Sequence, residues 1–153
     1  DWLLNAGLVL KCDKTIRGDV PPNMYADISS FKIYISYVGL LFNKSKVTKN
    51  NLEEYNQIYR GAITENYIAN QLTSNGYDLH YWETTNGSEV DFIIIKDDKI
   101  VPIEVKTSER NTSKSLKSFM KQYNPDYAIR ISSKNFGFEN KIKSVPLYAT
   151  FLI

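Results

Sequence analysis

Two carboxylates and a lysine stand at strand spacing in the middle of the chain. They are Asp91, in Gly87-Ser88-Glu89-Val90-Asp91-Phe92, and Glu104 and Lys106, in Ile103-Glu104-Val105-Lys106. Between them run Ile93-Ile94-Ile95, the polar Lys96-Asp97-Asp98-Lys99 and Ile100-Val101, the pattern of a β-hairpin. A turn centred between Asp97 and Asp98 sets Asp91 opposite Glu104, and Glu89 opposite Lys106. Two like charges facing each other on a sheet repel. At about 5 Å and an effective dielectric of about 20 the cost is roughly 3 kcal/mol. A hard divalent cation such as Mg²⁺ takes carboxylate oxygens and would offset it. Lys106, two residues after Glu104, falls on the same face by strand alternation. Two acids, a metal and an ammonium on one face suit phosphodiester chemistry.

The elements needed to position these groups are legible on either side. Leu52, Tyr55, Ile58, Tyr59, Ala62, Ile63, Asn66 and Tyr67 recur at helical spacing as far as Gly76. Three strands follow, over 77–84, 89–96 and 99–107. Asn86-Gly87 is a tight-turn signal between the first two and places Trp82 opposite Asp91. Residues 112–123 form an amphipathic helix with Leu116, Phe119, Met120 and Tyr123 on one face and Lys114, Lys117 and Lys121 away from it. Asn124-Pro125 ends that helix, and strands are expected over 127–131 and 145–153. The fold class is α/β, a mixed sheet flanked by helices.

Upstream, Trp2 to Gly7 reads as a helix end stopped by glycine. Residues 8–11 read as a strand, 14–23, with Pro21-Pro22, as a loop, and 31–37 as a strand. Helix end, strand, loop, strand is the back half of a winged-helix unit. Residues 43–51 are polar and basic and read as a boundary, giving a partial winged-helix segment over 1–45 and an α/β domain over 46–153. The first residue is Asp, so the chain is expected to be a piece of a longer protein.

Composition narrows the classes. The 153 residues suffice for one domain with a real core. A net charge of +2 permits nucleic-acid binding without arguing for it. Cys12 is the sole cysteine, which excludes an internal disulfide and fits a reducing, cytoplasmic compartment. One His and one Cys exclude a zinc site of the usual kind. No apolar run approaches a membrane span. The walker-type loop G-x-x-x-x-G-K-[ST] is absent, so the chain does not bind nucleotide by that route.

Asp on the second strand and Glu-x-Lys on the third, behind an acidic helix Gly61-Ala62-Ile63-Thr64-Glu65-Asn66-Tyr67-Ile68-Ala69, resemble the PD-(D/E)xK nuclease superfamily. With Tyr81-Trp82, Glu89-Val90-Asp91-Phe92 and Val101-Pro102-Ile103-Glu104-Val105-Lys106 in order, the wording is similar to the C-terminal domain carried by many bacterial and archaeal AAA-type ATPases. The resemblance covers roughly Trp2 to Ile131. It departs at Tyr37, where that branch usually has an acidic residue.

The resemblance implies a restriction-endonuclease-like fold and a Mg²⁺ (or Mn²⁺) site ligated by Asp91 and Glu104, with Glu65 completing the acidic cluster. Lys106 would polarise the attacking water and stabilise charge on the phosphate; Glu89, opposite Lys106, is placed to hold that lysine, and Trp82 reads as a core or site-wall aromatic. Lys114, Lys117 and Lys121 would touch nucleic-acid phosphates, DNA above all. It further implies an upstream ATPase domain beyond this chain and leaves room for an oligomer. The alternative is a domain that keeps the fold without catalysis, docking DNA or a partner for the ATPase.

Overall fold

The computed structural model describes residues 1–45, 57–107 and 114–153. The expected linker over 43–51 and the first helical positions Leu52 and Tyr55 lie largely or wholly outside them, as do Thr112 and Ser113. Helices are α1 (Trp2–Asn5), α2 (Val38–Ser45), α3 (Gln57–Ser74) and α4 (Lys114–Tyr123). Strands are β1 (Val9–Thr15), β2 (Ala26–Ile35), β3 (His80–Glu83), β4 (Glu89–Lys96), β5 (Lys99–Val105), β6 (Ala128–Ser132), β7 (Gly137–Glu139) and β8 (Ile142–Pro146). They form one eight-stranded mixed sheet in the order β2-β1-β3-β4-β5-β6-β8-β7. The α/β class expected from the sequence is what is observed. None of the described helices is long and apolar enough to cross a membrane.

Both faces of the central strands are covered, which is why β4 and β5 are nearly continuous apolar runs rather than alternating ones. On one face Ile68, Ala69 and Leu72 of α3 pack on Phe92, Ile94, Val101 and Ile103. On the other, Leu116 and Phe119 of α4 cover Trp82, Val90, Ile93 and Ile100. Trp82 lies edge-on to Phe119 and Tyr123, with centroids 5.2 and 6.1 Å away.

Residues 1–45, expected as a winged-helix-like segment, contribute the hairpin β1–β2 to this same sheet. β1 runs parallel to β3, with Asp13, Lys14 and Thr15 beside His80, Tyr81 and Trp82. The loop after β1 reaches the α4 side, where a Cβ built on Gly18 would lie 2.5 Å from Phe119 Cζ and 2.7 Å from the Tyr123 ring. Polar contacts also tie α3 to the end of β2. Asn66 accepts from Ile35 N–H at 2.7 Å and donates to Ile35 C=O at 2.9 Å, while Asn70 donates to the same oxygen at 2.9 Å.

The β4–β5 hairpin has the expected register. Phe92 pairs with Ile103 and Lys96 with Lys99, closed by Asp97 and Asp98, both at positive φ as a two-residue primed turn requires. The β3–β4 hairpin differs from expectation by one residue. Its loop is the three-residue Thr85-Asn86-Gly87, with Gly87 at positive φ, so Trp82 pairs with Val90 and not with Asp91. Between that pair and His80–Ile93, β4 spends one residue more than β3, a bulge at Asp91–Phe92. The C-terminal segment also departs from expectation. Residues 147–152 form a 3-10 helix rather than a strand, after a β7–β8 hairpin turned by Asn140 and Lys141 at positive φ.

Gly18→Ala drives a methyl into two packed rings. Chemical denaturation should show a loss of about 1–3 kcal/mol, and an unchanged midpoint would mean that the 16–20 loop does not pack on α4.

Candidate metal and phosphodiester site

The last paired residues of β4 and β5 are Phe92 and Ile103. One step beyond, where the two strands part, Asp91 and Glu104 are next in line. Asp91 does not simply face Glu104 across the ladder. Its Oδ2 accepts the Val105 N–H at 2.7 Å, so the carboxylate takes the place of a backbone partner at the fork. The bulge supplies the extra residue that lets it do so. Burial raises the Asp91 carboxyl to about 7; the Val105 N–H works against that rise and the neighbouring Glu65 adds to it, while Lys32 and Lys106 pull the other way.

Glu104 is almost fully enclosed, at 3 % exposure. Its Oε1 lies 2.8 Å from Lys106 Nζ, and its Oε2 is buried with no partner. Across the parallel β5–β6 ladder its neighbour is Arg130, whose Nε is buried and also unpartnered. Buried polar atoms normally find a partner, and a water or an ion is the usual means of satisfying such an oxygen.

Glu65, on α3, is brought to this region by the Asn66 and Asn70 contacts that pin the helix to β2. It accepts the Tyr34 O–H at 3.3 Å and lies 3.7 Å from Lys32 Nζ. Glu89 does not hold Lys106, as the hairpin register led one to expect; it bonds Lys32, and Lys106 turns to Glu104 instead. Lys32 is the group that sequence reasoning missed. It comes from β2, three places from β4 in the sheet, and its ammonium also stands 5.0 Å from the Tyr81 ring centroid. The only sequence signal was a lone charge in the β2 run Phe31-Lys32-Ile33-Tyr34, which gives no hint of a partner fifty residues away.

The expected convergence of Glu65, Asp91 and Glu104 is therefore not a ready cage: among the described residues no three Asp, Glu, His or Cys side chains gather to hold a metal ion. The narrower pair, Asp91 and Glu104, has the oxygen donors that a hard cation takes. Mg²⁺ commonly takes one or two carboxylates and keeps several waters, and Glu104 Oε2 is a buried oxygen without a partner. Trp82 is core under α4 and not a wall of the acidic site. Lys114, Lys117 and Lys121 are all exposed on α4, free of the apolar face. Cys12 is buried, and burial holds its thiol protonated, which suits a structural role.

Because its folded-state pKa lies above the ordinary carboxylate value, Asp91 supports folding at low pH and loses that contribution as pH rises from about 4 to 7. The full span corresponds to roughly 4 kcal/mol. With EDTA present, Asp91→Asn should raise the melting temperature relative to wild type at pH 8 and not at pH 4. An equal difference at both pH values would show that the carboxyl is not desolvated.

Residues 60–150 match the family described as Domain of unknown function (DUF4143), which is more than half of the chain. No curated protein matches it. With that match taking in most of α3 and the residues Glu65, Asp91, Glu104 and Lys106, the chain belongs to the DUF4143 family.

Proposed function

We propose that this chain is the nuclease-like domain of an AAA-type ATPase protein and hydrolyses nucleic-acid phosphodiesters with a divalent cation, Mg²⁺ or Mn²⁺, held by Asp91 and Glu104. The supporting observation is the fork of β4 and β5, where a desolvated Asp91 carboxyl stands one step beyond the ladder beside a Glu104–Lys106 pair with one orphaned oxygen. The bound cation would polarise a phosphoryl oxygen and acidify a coordinated water.

The protein's own groups do the rest. Glu104 holds Lys106 by one oxygen, so the ammonium is fixed near the site as a compact positive charge for the phosphate. Burial of Glu104 and partial burial of Asp91 limit the water that competes for them, which strengthens the charge interactions at the site. The exposed Lys114, Lys117 and Lys121 give the backbone of a nucleic acid a sequence-independent hold. A single buried thiol accords with a reducing, cytoplasmic setting.

Incubation of the protein with supercoiled, linear and single-stranded DNA and with RNA should give cleavage that requires Mg²⁺ or Mn²⁺. Asp91→Ala and Lys106→Ala should each lower it by about 100-fold or more. No cleavage of any substrate with either metal would end this reading.

A second reading is favoured by Lys32, which already engages Glu65 and Glu89. On it the domain docks DNA or a protein partner for the ATPase without cutting. It expects DNA binding that weakens steeply with salt and survives Asp91→Ala. A metal-dependent cut by the wild-type protein would exclude it.

A further inference from the structure

At the carboxyl ends of the parallel strands β5, β6 and β8 the sheet opens into a small cavity of about 140 Å³. Each strand gives residues to its wall: Lys106 and Thr107 after β5, Ser132 and Ser133 at the end of β6, and Leu147 after β8. Arg60 and Thr64, one turn apart on α3, close the other side. The crevice beyond the carboxyl ends of the strands is where open α/β sheets take their ligands. The volume is well below the roughly 300 Å³ at which pockets for whole small molecules begin. It suits a single compact group.

The lining is rich in donors and holds no carboxylate. Arg60 makes no ion pair among the described residues. Thr64 gives its hydroxyl proton to the Arg60 C=O at 2.8 Å, which leaves it none to offer a ligand. Ser132 is the reverse case. It is buried, and its Oγ accepts the Lys134 N–H at 3.2 Å, so its own O–H is left to donate. Lys106 is fixed at the wall twice over, by its N–H on the Ile131 C=O at 2.8 Å and by its ammonium on Glu104 at 2.8 Å. Glu104 balances one of the two cations, and the charge of Arg60 remains. A guanidinium, an ammonium and serine hydroxyls around a cavity without an acid in its wall are the donors that a phosphate group takes.

We propose that this pocket seats one phosphate of a nucleic-acid strand, with Arg60 as its principal contact. The ligand class rests on the function proposed above, but the site needs neither the metal nor the cut. Lys106 belongs to both places, so a phosphate held here fixes the register of the strand against Asp91 and Glu104 without reading its sequence. An arginine that is merely solvated would behave differently: its removal would leave nucleic-acid affinity and its salt dependence where they are.

Fluorescence anisotropy with a labelled single-stranded oligonucleotide, in EDTA and over a range of salt, tests this on the 153-residue chain, with circular dichroism to verify folding. Arg60→Gln should weaken binding about tenfold, the loss of one charge-assisted contact. It should also reduce the slope of log affinity against log salt by about 1. Arg60→Lys, which keeps the charge without the fork, should keep the slope and recover part of the affinity. Ser133→Asp, at an exposed position, should weaken binding at least as much as Arg60→Gln. Inorganic phosphate should raise the melting temperature of wild type above that in chloride of equal ionic strength and leave Arg60→Gln unmoved. A terminally phosphorylated strand and its unphosphorylated twin distinguish the two sources of phosphate. Equal affinity places an internal diester in the pocket; tighter binding of the phosphorylated strand, lost in Arg60→Gln, places the strand end there. Stabilisation by phosphate that is equal in wild type and Arg60→Gln, or absent from both, would overturn the site. Oligonucleotide affinity and salt slope unaltered by both Arg60→Gln and Ser133→Asp would overturn its assignment to nucleic acid. Weakened binding by these variants with no cleavage by any protein would leave the pocket standing and defeat the nuclease reading. Metal-dependent cleavage with binding unaltered in both variants would do the reverse.

Discussion

The folded chain is organised around a charge that the sheet must tolerate at its centre. Asp91 sits where β4 leaves β5 to follow β3, and its carboxylate fills the gap by accepting the Val105 N–H. An ionised carboxylate in such a place is costly to desolvate, and its pKa rises accordingly. The surroundings answer with ammonium groups: Lys32 from one side, near Glu65 and Glu89, and Lys106 from the other, on Glu104. Removing one partner of such a set leaves the remaining charge uncompensated, so these side chains behave as a unit.

That unit joins parts of the chain that sequence distance separates. The β1–β2 hairpin extends the sheet through the parallel β1–β3 pairing and supplies Lys32 and Tyr34. The α3 helix supplies Glu65 and is pinned to the end of β2 by Asn66, which is 4 % exposed and satisfied on both its donor and acceptor sides by Ile35. The β4–β5 hairpin supplies the remaining groups. The family match begins only at residue 60, yet the acids within it are neutralised in part by a residue well before that point.

Much of this was legible beforehand because it depends on local rules. The β4–β5 register follows from Asp97-Asp98, two residues that tolerate positive φ between two apolar runs. The α4 helix shows in the spacing of Leu116, Phe119 and Tyr123. What escaped were events of a single residue. Gly87 closes a three-residue loop rather than a two-residue one, which moves Trp82 from Asp91 to Val90; the bulge then resets the register by His80. Neither shift alters the apolar pattern, since β4 is covered on both faces and a slip changes which cluster a side chain joins, not whether it is buried. The stretch 147–152 escaped for a similar reason: Leu147, Tyr148, Phe151 and Leu152 are apolar, but Pro146 ends the ladder and the chain winds into a 3-10 helix.

From the amino-acid order alone came the α/β class and the central hairpin with Asp91, Glu104 and Lys106 at its open end, because residue type, alternation and turn preference are properties of neighbouring residues. Which carboxylate meets which ammonium was decided only by the tertiary structure. Charge pairing acts through space, and nothing local to Phe31-Lys32-Ile33 encodes that its ammonium will come to rest between Glu65 and Glu89.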